Sequence, residues 1–175
     1  MNVTRNLVRG ALVIAFGILV PMIFHSISLS GAVFLPMHLS VLIGAAFISP
    51  RAALFAGALT PLISSIMTGM PPLMPIGILM SFELAAYGLC MAYLIQVKRM
   101  KIIVSLIAAM TFGRVILAFG AMIVAYVLQF ELIPILYLKT AIMTGFPGLL
   151  LQLFIVPTVI RAIGKSQRLK ELILD

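Results

Sequence analysis

The feature that most constrains the fold is a succession of long apolar runs, separated by short stretches that carry most of the charged residues. A helix needs about 20 mostly apolar residues to span a bilayer. Hydrophobic residues make up 63% of the chain and charged residues only 9%, whereas ordinary soluble domains have roughly 25% charged residues. The sequence therefore predicts an all-α integral membrane bundle of six transmembrane helices in one domain, residues 1–175. The six predicted runs are 7–27, 33–48, 52–67, 76–97, 102–128 and 138–163.

Prolines interrupt two parts of this pattern. The second run is short and contains Pro36, and three prolines within 69–75 forbid a continuous helix there.

The first run follows a basic N-terminus, and its length favours a retained helix over a signal peptide. Cleavage after Ser28 or Ser30 is the alternative.

Lysine and arginine are distributed unevenly between the two sides of the predicted bundle. Cytoplasmic segments of membrane proteins carry an excess of these residues. We therefore predict that both termini are cytoplasmic, which requires an even number of spans. The net charge of +8 then reflects topology rather than a nucleic-acid-binding patch. Ten of the twelve basic residues fall on the cytoplasmic side: Arg5, Arg9, Arg51, Lys98, Arg99, Lys101, Arg161, Lys165, Arg168 and Lys170.

Two ionisable residues interrupt the apolar runs: Glu83 in the fourth and Arg114 in the fifth. A charge at the bilayer centre costs about 2.5–3.5 kcal/mol on insertion scales, so such residues face a bundle interior or a wet cavity. Both helices leave the basic turn 98–101, and both charges lie roughly 20 Å from it at 1.5 Å per residue. The sequence predicts that they meet in the outer half of the membrane, as a structural ion pair, as part of a ligand site, or as both.

Other residues are predicted at the same outer level. His38 lies near the outer end of the second helix, either as a packing residue or as a ligand contact, and Tyr87 is one turn from Glu83 on the same face. The turn 69–72 is either a rigid connector or a lid over the site. Eight residues are our candidates for substrate binding: Glu83, Arg114, His38, Tyr87, Met70, Pro72, Thr144 and Gln152.

The sequence contains no pattern that predicts catalysis, a metal site or nucleotide binding. Residues 164–166 (Gly-Lys-Ser) resemble the end of a phosphate-binding loop, but that pattern requires a glycine at position 159, where this sequence has valine. The single Cys90 excludes a multi-cysteine metal site, and His25 and His38 do not form a zinc-binding motif. We therefore predict no enzymatic activity, no metal and no cofactor in this chain.

Small residues recur at four-residue spacing on two helices. Ala11 and Ala15 form one such step on the first helix, and the stretch 52–57 contains two more on the third. Small-residue faces allow helices to approach closely. Each face is either a packing surface within the bundle or a docking surface for another subunit.

Four sequence stretches carry a resemblance to a known family: FLPMHL (34–39), ISPRAA (48–53), the segment from TPL to GMPP (60–72) and FELAAYG (82–88). Together with the chain length, the predicted helices and the basic termini, they resemble the S components of energy-coupling factor (ECF) transporters. These are the substrate-binding membrane subunits of bacterial importers.

The resemblance implies high-affinity binding of a vitamin or related micronutrient outside the cell. It also implies docking on a transmembrane coupling subunit and two ATPases, which would use ATP; Ala11 and Ala15 match the family's docking motif. Cobalt and nickel members have a histidine directly after the initiating Met, whereas this chain has Asn2, so an organic substrate is favoured. The alternatives are a small integral membrane enzyme or an accessory membrane subunit without a ligand.

Overall fold

The computed structural model describes the backbone of residues 3–27 and 31–174, and the side chains of 4–27 and 31–165. Ser28 and Ser30 lie outside the described residues, as do the side chains of Arg168 and Lys170 in the basic tail. Within the described residues the regular structure is helical, which confirms the predicted all-α class. The helices are α1 (Val3–Ser26), α2 (Gly31–Phe34), α3 (Pro36–Ala45), α4 (Pro50–Thr68), α5 (Ile78–Ala92), α6 (Ile102–Tyr126) and α7 (Pro134–Leu174).

Five helical stretches of the described chain are long and apolar enough to cross a membrane: Thr4–Ser26, Pro50–Thr68, Leu73–Val97, Ile102–Tyr126 and Pro134–Lys165. The third of these consists of α5 with a π-helical turn at each end. The remaining predicted run forms the short pair α2 and α3. The break falls at Leu35, whose φ of 50° and ψ of 49° are left-handed, and Pro36 then begins α3. Proline suits a first helical position because the N–H group there has no partner within the helix.

The segment formed by α2 and α3, with the turn that follows it, nevertheless contacts α1 from Phe24 to Arg9. At one end of α1, the rings of Phe24 and Phe34 lie 5.9 Å apart. At the other end, Arg9 Nη1 donates a hydrogen bond of 3.0 Å to the carbonyl oxygen of Phe47. Within the described residues, the bundle therefore consists of five long apolar helices and this broken segment.

One end of the bundle carries the turns 46–50 and 98–101, and we call it the basic end. The Gln96 side-chain amide donates to the carbonyl oxygen of Ala46, which joins the two turns. The Asn6 side-chain oxygen accepts a hydrogen bond of 3.2 Å from the Ser49 N–H, which ties α1 to the same end. Eight described basic residues belong to this end: Arg5, Arg9, Arg51, Lys98, Arg99, Lys101, Arg161 and Lys165.

Small residues bring α4 and α5 into close contact toward the basic end. A Cβ atom at Gly88 would overlap the backbone of Ala53, and one at Gly57 would overlap the backbone of Leu84. The main apolar core surrounds this contact and includes Met91, which is fully buried. Such close packing leaves little free volume in this half of the molecule. The opposite end, which we call the loop end, carries the C-terminal end of α1 and the connections 69–72 and 127–133.

Candidate functional site

A cavity of about 890 Å³ lies within the loop end of the bundle. Each of the seven helices contributes at least one residue to its wall. Most of the wall is apolar, with four methionines: Met22, Met37, Met70 and Met80. Cavities that bind small organic molecules usually have volumes of about 300–1,000 Å³ and mostly apolar walls with a few polar groups. The cavity therefore has the size and character of a small-molecule site.

A cluster of three polar side chains forms the floor of this cavity. Glu83 is only 2% exposed, and its Oε1 lies 3.0 Å from Arg114 Nη1. Its other oxygen, Oε2, lies 3.4 Å from His38 Nε2. The sequence prediction that Glu83 and Arg114 lie at the same depth is confirmed, and each carboxylate oxygen has a nitrogen neighbour.

The surrounding helices explain how these side chains come together. Helices α5 and α6 are antiparallel around the turn 98–101, which brings Glu83 and Arg114 to one level. Glycine at 113 lets α6 approach the Tyr87 ring, because a Cβ atom there would overlap that ring. The Tyr87 ring in turn meets the His38 ring edge-on, with centroids 5.4 Å apart. Tyr87 thus supports the imidazole from behind the floor.

Several polar atoms of this region have no hydrogen-bond partner in the protein. They include Nε and Nη2 of Arg114, both ring nitrogens of His38, Oε1 of Glu83 and the hydroxyl of Tyr87. Glu83 therefore meets Arg114 as an ion pair at 3.0 Å without an aligned hydrogen bond to Oε1. An unsatisfied buried donor or acceptor costs about 1–3 kcal/mol, and more when the group is charged. The floor therefore combines a paired carboxylate with unused hydrogen-bonding capacity on the neighbouring guanidinium.

The loop 69–72 borders the cavity and is held in place by hydroxyl groups of α4. Ser64 Oγ donates to the Met70 carbonyl oxygen at 2.7 Å, and Ser65 Oγ donates to the Pro71 carbonyl oxygen at 2.6 Å. Because proline has no N–H group, Pro71 and Pro72 present carbonyl oxygens but no donors. The loop is therefore anchored at the border of the cavity, which is compatible with both the rigid connector and the lid.

Six of the eight predicted site residues border the cavity: Glu83, Arg114, His38, Met70, Pro72 and Thr144. The other two, Tyr87 and Gln152, have no exposed surface and do not border it. Both polar atoms of the Gln152 side chain are buried without a hydrogen-bond partner. For the six residues that border the cavity, direct contact with a substrate stays a prediction. The positions of Tyr87 and Gln152 do not support such a contact.

The cavity also includes polar residues that sequence reasoning missed: Tyr137, Thr140, Ser64, Thr68, His25 and Ser26. A signal for some of them was available. Tyr137, Thr140 and Thr144 recur at i, i+3 and i+7, which places them on one face of α7. The sequence analysis predicts Thr144 of this stripe, whereas Tyr137 and Thr140, as neutral hydroxyl groups in an apolar sequence, are less conspicuous than a charge.

The two small-residue faces have different surroundings. Ala11 and Ala15 lie on the surface of α1 and are exposed, because no other described part of the bundle covers them. The stretch 52–57 instead contributes Ala53 and Gly57 to the buried contact between α4 and α5. The face on α4 is a packing surface, whereas the face on α1 is free for another molecule.

Potential metal ligands do not cluster in the part of the chain that the structure describes. No three side chains of His, Cys, Asp or Glu come together there. Glu83 and His38 form a pair beside Arg114, whose positive charge opposes cation binding.

These features define a multi-pass helical membrane protein with an internal cavity of ligand size. The sequence model of the family described as ECF transporter, substrate-specific component, matches residues 5–160. The chain therefore belongs to this family of substrate-binding transporter subunits. No curated protein and no solved structure matches the chain.

Proposed function

We propose that this chain captures a small organic vitamin or vitamin precursor with high affinity from outside a bacterial cell. The observation that carries the proposal is the cavity of about 890 Å³, with its polar floor and the anchored loop at its border, at the end of the bundle opposite the basic residues. Excess Lys and Arg favour the cytoplasmic side of a membrane. Both termini are then cytoplasmic, and the cavity lies in the outer half of the bacterial cytoplasmic membrane.

The proposal assigns energy coupling to other subunits. In the complete importer, the chain docks on a transmembrane coupling subunit that is associated with two ATPases, and ATP is used there. The exposed face of α1 around Ala11 and Ala15 supports this assignment, since small exposed residues allow another helix to approach closely. The chain itself then needs no catalytic residue and no cofactor.

The orientation can be tested in intact cells with a membrane-impermeant maleimide. The only cysteine, Cys90, is first replaced by alanine, and single cysteines are introduced at Glu131 or Arg99, which are both exposed. We expect labelling of the Glu131→Cys variant from outside, and labelling of Arg99→Cys only after the cells are opened. The reverse pattern would place the cavity on the cytoplasmic side and contradict capture from outside.

The function itself is tested by mass spectrometry of small molecules extracted from the purified protein. The protein is solubilised in detergent, incubated with yeast extract as a vitamin-rich pool, separated from unbound compounds and denatured. We expect one compound at a ratio of about one per chain. A protein that retains no compound at any stage would contradict the binding proposal and favour an accessory subunit, while chemical conversion of a retained compound would favour an enzyme.

A further inference from the structure

We infer that the captured molecule carries a carboxylate, and that this carboxylate binds Arg114 at the floor of the cavity. This inference rests on the proposed function and deepens it by naming the chemical class of the substrate. It concerns a molecule with one anionic end and a predominantly apolar body.

Glu83 is the only acid among the described residues that line the cavity. Its Oε1 faces Arg114 Nη1 at 3.0 Å and its Oε2 faces His38 Nε2 at 3.4 Å. Both oxygens are thus directed at groups of the protein. A cationic ligand would have to displace one of these nitrogens, so the floor is poorly suited to recognise a positive charge.

Arg114 has N–H donors without a hydrogen-bond partner in the protein. A guanidinium has five N–H donors arranged as a fork that matches a carboxylate. Only Nη1 faces Glu83, while Nε and Nη2 have no partner in the protein. The Arg114 side chain is 14% exposed against 3% for Glu83, so it is the more accessible member of the pair. Nε and Nη2 are buried in this structure, so binding requires the Arg114 side chain to rotate and present these two donors to the ligand carboxylate.

The rest of the cavity wall contains further hydrogen-bond donors and many apolar side chains. Besides Arg114, two histidines line the described cavity, His38 at the floor and His25 near the loop end. A neutral imidazole donates from one of its two nitrogens, so both rings can donate to an anion, whereas the carboxylate of Glu83 already faces Arg114 and His38. Methionines and prolines form much of the remaining wall, with hydroxyl groups of Thr140 and Thr144 on one side. Such a wall suits an apolar or heteroaromatic body that accepts a few hydrogen bonds.

The test uses the unmodified protein and a chemical change in the ligand pool. One portion of yeast extract is treated with carbodiimide and methylamine, which converts carboxylates into neutral methylamides. A matched portion receives methylamine alone. Thermal unfolding of the detergent-solubilised protein is then measured against increasing amounts of each extract.

We expect the mock-treated extract to raise the unfolding temperature, and at least tenfold more of the amidated extract to be needed for the same shift. Equal stabilisation by both extracts would overturn the carboxylate inference and leave the proposed function standing. Stabilisation by neither extract would contradict the proposed function as well, so the two failures are distinguishable.

A conservative substitution sharpens the assignment to Arg114. Arg114→Lys keeps the positive charge but loses the planar fork, and we expect about tenfold to hundredfold weaker binding of the compound recovered from yeast extract. Arg161→Lys, at an exposed position of the basic end, is the matched control and should bind normally. Unchanged affinity in a folded Arg114→Lys variant would overturn the inference, and the amidation result stands independently if that variant does not fold.

Discussion

The basic end and the loop end are built from the same apolar helices, yet they differ in how closely those helices approach one another. Between the cavity floor and the basic end, Gly57 and Gly88 bring the backbones of α4 and α5 together, and at the basic end side chains join the turns 46–50 and 98–101. At the loop end, the helices surround a cavity of about 890 Å³ whose floor holds a buried charge cluster. The larger apolar core extends from the floor toward the basic end, whereas a smaller core around Leu79, Leu117 and Ala121 lies at the loop end beside the cavity.

The difference shows how a small membrane protein can maintain an energetically unfavourable site. A cavity forfeits packing contacts, and unpaired polar atoms such as Arg114 Nη2 cost free energy. The close contacts toward the basic end offset these costs. Substitutions at the two ends should therefore have different effects on the free energy of unfolding and on ligand binding.

The largest effect is expected from removing the charge of Glu83. Glu83→Gln leaves Arg114 buried without its counter-charge, which should lower the free energy of unfolding by about 3–5 kcal/mol and weaken ligand binding. Thermal unfolding in detergent measures the first effect, and ligand retention measures the second. Glu131→Gln is the matched control, because Glu131 is exposed. If Glu83→Gln lowers the free energy of unfolding no more than Glu131→Gln does, the Glu83–Arg114 pair contributes little to stability.

A double substitution separates stability from binding at the same position. Glu83→Leu combined with Arg114→Met replaces the ion pair with apolar side chains, which is often neutral or stabilising. We expect near-normal thermal stability and no ligand retention. Retained binding in this variant would contradict a role for the charged floor.

The second largest effect is expected toward the basic end. Gly88→Ala places a methyl group against the backbone of Ala53, which cannot move cheaply, and should destabilise the protein by about 1–3 kcal/mol. Gly10→Ala adds the same group where nothing lies within 4 Å and serves as the control. Equal thermal stability of the two variants would show that the α4–α5 contact is looser than described.

A smaller effect is expected at the loop 69–72, which borders the cavity. Ser65→Ala removes the donor to the Pro71 carbonyl oxygen and should cost about 0.5–1.5 kcal/mol, with faster release of the bound ligand. Thr158→Ala removes a comparable hydroxyl bond to Phe154 on the exposed side of α7, far from the loop. Release at the wild-type rate from the Ser65→Ala protein would contradict a lid function of this loop.

The smallest effect on stability is expected on the exposed face of α1. Ala11→Leu or Ala15→Leu should change the free energy of unfolding by less than about 0.5 kcal/mol and leave ligand binding intact. Uptake by cells that also contain the coupling subunit and ATPases should nevertheless be lost. Ala162→Leu, at another exposed alanine, is the control. Impaired binding in the α1 variants would mean that this face packs within the subunit.

The sequence predicted the depth of the charge pair but not the orientation of every polar side chain. The levels of Glu83 and Arg114 follow from residue counts on either side of the turn 98–101, and the structure confirms their contact. The faces of Tyr87 and Gln152 depend on how neighbouring helices rotate and cross. Gln152 is buried and does not border the cavity, and the spacing of residues along α7 does not by itself predict this position.

The second apolar run shows a further limit of sequence reasoning. Pro36 marks an interruption, yet the left-handed conformation of Leu35 and the division into α2 and α3 depend on contacts with distant helices. The Leu35 side chain packs near Gly145 of α7, and the backbone of Val33 lies against Gly148. These contacts are more than 100 residues apart in the sequence, so local patterns do not specify them.

The most direct test of the account is protection of a cysteine placed inside the cavity. In a Cys90→Ala background, Thr140→Cys lines the cavity, whereas Glu131→Cys is an exposed control outside it. Maleimide labelling rates are measured on ligand-free protein in detergent, with and without yeast extract. The account predicts that the extract slows labelling of Thr140→Cys at least tenfold and leaves Glu131→Cys unchanged. Equal labelling rates at Thr140→Cys, in protein shown by mass spectrometry to hold a ligand, would place the binding site elsewhere.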